Sequence, residues 1–135
     1  MSLNQDMFML QACNSLTTPK QLAHLAVHQS EDIRAAVAYN HVTPPHILAM
    51  LAQDKARRVR WRVAVNQYTP AETLDLLSLD ESGWVRCGVA LNGNTSPETF
   101  MRLAQDDDWE VRDTVKRNID APPAAKFLIN LMEHA

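Results

Sequence analysis

A period of 26 residues runs through this chain without a single insertion, and no other feature restricts the fold as tightly. Asparagine stands at Asn14, Asn40, Asn66, Asn92 and Asn118. Threonine recurs at Thr17, Thr43, Thr69 and Thr95, leucine at Leu25, Leu51, Leu77 and Leu103, and arginine at Arg34, Arg60, Arg86 and Arg112. Valine recurs at Val37, Val63, Val89 and Val115, preceded four residues earlier by Ile33, Val59, Val85 and Val111. A repeat of this length is one supersecondary unit that buries its apolar face only by stacking on its neighbours. The repeated columns then build the stack, and the variable columns carry whatever is specific to the molecule.

Within each unit the columns spell two short helices. The Thr-Pro pairs (Thr18-Pro19, Thr43-Pro44, Thr69-Pro70, and Thr95-Ser96-Pro97) read as an N-cap and first turn, the hydroxyl accepting a free N–H where proline's missing donor costs nothing. Thr69 with Glu72, and Thr95 with Glu98, have capping-box spacing. The first helix offers Leu22 and Leu25, then Leu48 and Leu51, Leu74 and Leu77, Phe100 and Leu103 on one face. The second offers Ile33 and Val37 and their equivalents at i, i+4. The asparagine is expected to end it in the left-handed conformation that Asn tolerates. Helices this short do not persist alone in water. The expected fold is therefore all-α: a solenoid of two-helix repeats with about ten short helices and one continuous apolar core. It forms one domain over residues 1–135, with 1–13 a capping half-repeat, 14–117 four repeats and 118–135 a second capping half-repeat.

The pattern N-x-x-T-P, then L-x-x-L-A, then D-x-x-x-x-V-R-x-x-V-A-x-N resembles the leucine-rich repeat variant family, which is itself similar to HEAT-type helical repeats. The resemblance spans residues 12–133. It implies a right-handed superhelix of paired short helices and leaves open whether one member of each pair is 3₁₀ rather than α. HEAT-like repeats also carry a loop aspartate and a second-helix arginine that form a ladder between units. Here these are Asp54 with Arg60, Asp80 with Arg86 and Asp106 with Arg112, and His28 in place of the first aspartate implies a weaker ladder there. Some members of the family hold an iron–sulfur cluster near the N-terminus. Only Cys13 occupies that region, so no cluster, and no other cofactor, is expected.

Composition excludes several classes. The 46% hydrophobic and 21% charged residues suit a packed fold rather than disorder, and a formal net charge of −3 gives no global pull toward nucleic acid or anionic membranes. Two cysteines make no disulfide framework and fit a reducing, cytoplasmic setting. No apolar run reaches the roughly 18 residues of a membrane span, and the stretch MSLNQDMFMLQAC lacks a signal peptide's basic start.

Against that mild acidity, residues 55–62 read KARRVRWR. Arg60 and Val59 belong to repeated columns and are architectural. Arg57 and Arg58 are set beside Glu31 and Asp32 of the preceding unit and beside Trp84 of the next, with Arg58 expected over the Trp84 ring as a cation–π pair. A charge-complementary stack of repeats explains this much. Trp61 argues for more: its column otherwise holds Ala35, Cys87 and Asp113, a solvent-facing profile, and an exposed tryptophan beside Arg57, Arg58 and Arg62 has the composition of an interface hot spot.

The remaining candidates are weaker. His24 and His28 have the i, i+4 spacing of two metal ligands but no third partner, and read as surface histidines. Cys87 has no adjacent His or Cys and reads as an inert thiol. The apolar runs Met7 to Leu10 and FLINLM read as cores of capping helices, with self-association through the end helices as the alternative. No phosphate loop, GxSxG, HExxH or CxxC is present. The expectation is a non-catalytic module that binds a protein through the variable positions of its second helices, with Arg57, Arg58, Trp61, Arg62, Trp84 and Cys87 as the candidate surface and Tyr39 and Asp113 beside it. Binding of nucleic acid by the basic stretch is the alternative, and an enzyme on a solenoid scaffold a more distant one.

Overall fold

The computed structural model describes residues 2–135, and the described chain is helical throughout. Ten helices follow in order: α1 (Leu3–Cys13), α2 (Pro19–Leu25), α3 (Glu31–Tyr39), α4 (Pro45–Leu51), α5 (Arg57–Val65), α6 (Ala71–Leu77), α7 (Gly83–Leu91), α8 (Pro97–Leu103), α9 (Trp109–Arg117) and α10 (Pro123–Glu133). Both members of every pair are α-helices, which resolves the choice between α and 3₁₀. The odd-numbered helices pack side by side in one layer, and the even-numbered ones cover it. Between the layers lie Leu22, Leu25, Ile33, Leu48, Val59, Leu74, Val85, Phe100, Val111 and their neighbours, each no more than 1% exposed. The molecule is an all-α solenoid.

Two ladders of hydrogen bonds hold the units in register, and neither works quite as its sequence column suggests. No non-glycine residue takes a positive φ among those described, so the asparagines are not left-handed caps. Asn40, Asn66 and Asn92 instead sit in extended backbone, with φ of −67°, −71° and −87°. Their side chains reach back one whole unit. Asn66 Nδ2 donates to the carbonyls of Ala38 at 2.9 Å and Asn40 at 3.3 Å, while its Oδ1 accepts the N–H of Tyr68 at 2.9 Å. Asn40 does the same to Ala12 and Asn14, and Asn92 to Ala64 and Asn66. These carbonyls belong to the last turn of a helix, where no intrahelical donor remains. An asparagine is required because it presents donor and acceptor together.

The threonines are also reassigned. In the second and third units the N-cap is the proline itself, Pro44 or Pro70, which sets the threonine one residue outside the helix. Thr43, Thr69 and Thr95 then donate their hydroxyls backward to the carbonyls of Val37, Val63 and Val89, at 2.6, 2.6 and 2.7 Å. The spacing of Thr69 with Glu72 and Thr95 with Glu98 yields no capping box. The one that forms joins Thr18 and Gln21, and Ser96 caps α8 by accepting the N–H of Thr99.

The second ladder is ionic. Each arginine grips the aspartate 20 residues ahead with two parallel bonds: Arg34 to Asp54 at 2.8 and 3.1 Å, Arg60 to Asp80 at 2.7 and 3.2 Å, Arg86 to Asp106 at 2.8 and 3.0 Å. Such fork-to-fork pairing is the strong form of the interaction. The pairs are therefore Arg34 with Asp54 and so on, and the first unit is not the weak rung. His28 substitutes locally for the missing aspartate: its Nδ1 accepts the N–H of Ser30 at 2.9 Å, and its carbonyl accepts from Arg34 at 3.0 Å. The open rung is at the other end. Arg112 bonds only the carbonyls of Asp106 and Asp107, because Met132 stands where the next aspartate would be.

The ends differ from each other. Ala38, Ala64 and Ala90, each fully buried, line one column, and Lys116 takes the next place in it, paired with Glu133 at 2.9 Å. At the other end Phe8 and Met9 pack on the core, while Met7 and Leu10 are 67% and 74% exposed. Leu128 and Ile129 of the run FLINLM face the core, and Phe127, Leu131 and Met132 are exposed.

Candidate functional site

The outward strip of the second-helix layer is set by helical geometry. Once Val59 and Val63 point into the core and Arg60 turns to its aspartate, positions 58, 61, 62 and 65 of α5 are left facing out. The equivalent positions are Asp32, Ala35, Ala36 and Tyr39 on α3, where both alanines are buried, Trp84, Cys87, Gly88 and Leu91 on α7, where Gly88 is buried, and Glu110, Asp113, Thr114 and Arg117 on α9.

On this strip five side chains form one continuous stack across three helices. Arg62 lies over the Tyr39 ring with its guanidinium carbon 4.8 Å from the centroid, and 5.4 Å from the centroid of Trp61 on its other side. Trp61 lies flat against Trp84, centroids 4.7 Å apart and planes 6° apart. Arg57 covers Trp84 at 5.7 Å. A guanidinium held between two ring faces keeps its charge and its planar fork of donors while losing little freedom on binding.

Trp61 is not the exposed tryptophan its column suggests. It is half-buried and packed on the core, and Trp84, 44% exposed, is the ring that meets solvent. The column misleads because its members have different depths: Ala35 is buried, whereas Cys87 and Asp113 are half-buried. Gly88 makes the seat. A Cβ there would stand 3.2 Å from Trp61 Cδ1 and 2.9 Å from the Ala64 methyl. The sequence signal for this seat was a glycine in the middle of a helix, where glycine is otherwise unfavourable.

The basic residues separate by role. Arg58 pairs with Asp32, both about half exposed, and it is Arg57, not Arg58, that lies over Trp84. No ion pair joins Arg57 to Glu31. Arg57 borders an open depression of about 700 Å³ in which the carboxylates of Glu81 and Asp108 face the cations of Lys55 and Arg60 beside Trp84. Arg57 and Arg62 alike make no ion pair and no side-chain hydrogen bond to protein among the described residues, and Arg62 differs in lying against two rings.

Cys87 lies beside this stack. Burial pushes its thiol above the ordinary value, and the charges of Asp108, Glu110 and Asp106 add to the effect, leaving the thiol protonated and unreactive near neutral pH. His28 is held by Ser30 and by a tilted contact with Phe8, centroids 5.3 Å apart, and does not join His24 in a site. Among the described residues no group of three or more His, Cys, Asp or Glu is placed to hold a metal ion, and no helix is long and apolar enough to cross a membrane.

Comparison with known proteins matches this architecture. The chain is similar to a solved structure described as a leucine-rich repeat variant with a novel repetitive protein structural motif, with 26% sequence identity and a TM-score of 0.61. The match covers 86% of this chain and 51% of that one, so the chain spans about half the length of the structure it resembles. No family model matches the chain, and no curated protein does.

Proposed function

We propose that this leucine-rich-repeat-variant-like solenoid is a non-catalytic module that binds a protein partner across the outward strip of its second helices. The observation that carries the reading is the stack of Tyr39, Arg62, Trp61, Trp84 and Arg57, an aromatic and guanidinium surface of the kind in which interface energy concentrates. Its side chains are already ordered by one another and by two backbone-anchored ladders, so association loses little further entropy. Asp113 and Cys87 border the strip on the side of α9. Two free cysteines, Cys13 and Cys87, agree with a cytoplasmic setting.

Nucleic-acid binding is the weaker reading. Of the five charges in residues 55–62, Arg60 is consumed by Asp80 and Arg58 is paired with Asp32, leaving too short a basic track to follow a phosphate backbone.

The test is affinity capture with wild-type protein and with the Trp84→Ala and Arg62→Glu variants, each partner identified and eluted in a salt series. The partner is expected to be a protein lost from both variants, with a shallow salt dependence. Retention of every captured protein by both variants would remove the strip as the binding surface, and salt-steep retention of DNA or RNA would favour the other reading.

A further inference from the structure

Arg62, like Arg57, makes no ion pair among the described residues, and it is set apart by the two rings between which it stands. Arg34, Arg60 and Arg86 give their donors to carboxylates and carbonyls, and hydrogen bonds to Asp54, Asp80 and Asp106 respectively hold each guanidinium above its already high ordinary pKa. Arg58, Arg102 and Arg117 are paired with Asp32, Asp75 and Asp113. Arg62 stands half-buried between the faces of Tyr39 and Trp61, which offer no acceptor for its N–H groups. A guanidinium fixed in orientation with its donors unspent is a receptor for a planar anion.

From this geometry we infer that Arg62 is the anchor for a carboxylate carried by an acidic segment of the partner protein, with a neighbouring apolar side chain of that segment lying on the exposed face of Trp84. The inference rests on the protein-binding reading above and names the partner's chemistry. The occupant is a short acidic peptide and not a longer polyanion because the strip around Arg62 is flanked by negative charge on both sides. Glu31 on α3, Asp108 at the N-cap of α9 and Glu110 on α9 make no ion pair among the described residues, whereas Asp32, Glu81 and Asp113 are already paired with arginines. A nucleic-acid strand would cross these carboxylates after leaving Arg62 and Arg57, whereas a single glutamate or aspartate meets only Arg62 and the rings. The alanines Ala35 and Ala36 at the equivalent positions of α3 keep the approach on the Tyr39 side low.

The experiment titrates the intact protein with the blocked peptide Gly-Phe-Glu-Phe-Gly, following tryptophan emission. Trp61 and Trp84 of the stack and the separate, exposed Trp109 all contribute to that emission, so Trp109→Phe serves as the control for the third ring. The comparison probes are Gly-Phe-Gln-Phe-Gly and decathymidylate. The glutamate peptide is expected to saturate, and the glutamine peptide to bind about tenfold more weakly or worse, the scale of one charge-assisted hydrogen-bonded pair. Arg62→Gln should abolish that preference, and Arg102→Gln on α8 should leave it unchanged, with helical circular dichroism verifying the fold of each variant. Equal binding of both peptides, lost in Trp84→Ala, would overturn the anion assignment while leaving the surface intact. A glutamate preference that persists in Arg62→Gln would also overturn it, as would competition in which decathymidylate displaces the peptide. Failure of both peptides to bind would remove the assignment, and capture of a partner that survives the strip variants would remove the surface reading with it.

Discussion

Replacing Asn66 by alanine isolates the force that keeps these repeats in register. Asn66 is 5% exposed and makes three hydrogen bonds, two to carbonyls of the preceding unit and one to an N–H of its own turn. Each net hydrogen bond contributes about 0.5–1.5 kcal/mol, and a buried group left unpaired costs about 1–3 kcal/mol. The Ala38 carbonyl would be left unpaired inside the stack, whereas that of Asn40 keeps the Thr43 N–H at 3.1 Å, so the loss should fall at roughly 2–4 kcal/mol. Asn14 provides the internal control. It occupies the same column, it is exposed, and among the described residues its side chain makes a single bond to protein, from Leu16 N–H at 2.8 Å. Asn14→Ala should therefore cost about 1 kcal/mol or less. Equilibrium urea unfolding followed by helical circular dichroism measures both. Equal destabilisation by the two substitutions would refute the ladder and return the asparagines to a local capping role.

Gly88→Ala should push the Trp61 ring off its seat, costing about 1–3 kcal/mol and weakening the exciton signal of the stacked indoles in circular dichroism; an unchanged signal would show that the seat is not close. Asp80→Asn breaks a part-buried, bidentate pair and leaves Arg60 with its bonds to the carbonyls of Asp54 and Lys55 and its looser contact with Glu81, an effect of about 1.5–3 kcal/mol in urea unfolding. Asp32→Asn, at an exposed pair, should change stability by less than about 1 kcal/mol. Acid should destabilise the protein through the Arg34–Asp54 rung: although burial works in the opposite direction, the bonds from Arg34 and the Ala56 N–H hold Asp54 below its ordinary value. A carboxylate depressed in the folded state contributes its stability above the unfolded pKa of about 3.9 and loses it as pH falls through the folded value. Thermal melts should thus drop below about pH 4, and less steeply in Asp54→Asn.

The two-layer core was legible because hydrophobic periodicity depends only on which side chains leave water. Leu22 with Leu25, and Ile33 with Val37, announce their faces without reference to any other unit. The asparagine and threonine columns were legible as positions but not as bonds. A column says that a residue is needed, and both a left-handed cap and a bond reaching 28 residues back need asparagine. Only the carbonyls of Ala12, Ala38 and Ala64 distinguish them. The arginine ladder failed in the same way: its partner lies 20 residues ahead rather than six behind, so the open rung is at Arg112 and not at His28.

The candidate surface was less legible for a related physical reason. Exposure of a residue in a repeat depends on what the next unit places over it, and Trp61 shares a column with a buried alanine and a half-buried aspartate. Gly88 on the following helix, not any property of residue 61, lets the indole lie down and leaves Trp84 as the exposed ring. The ladders make such variation tolerable. Asn66 binds backbone carbonyls, and Arg60 binds an aspartate whose own Oδ1 accepts the N–H of Ser82, so both fasten main chain to main chain regardless of neighbouring side chains. The two ladders thus hold register through bonds that lie off the outward strip. Residues such as Arg62 can remain unpaired there at no cost to the stack, and an unpaired guanidinium between two rings is the feature a folding requirement alone leaves unexplained.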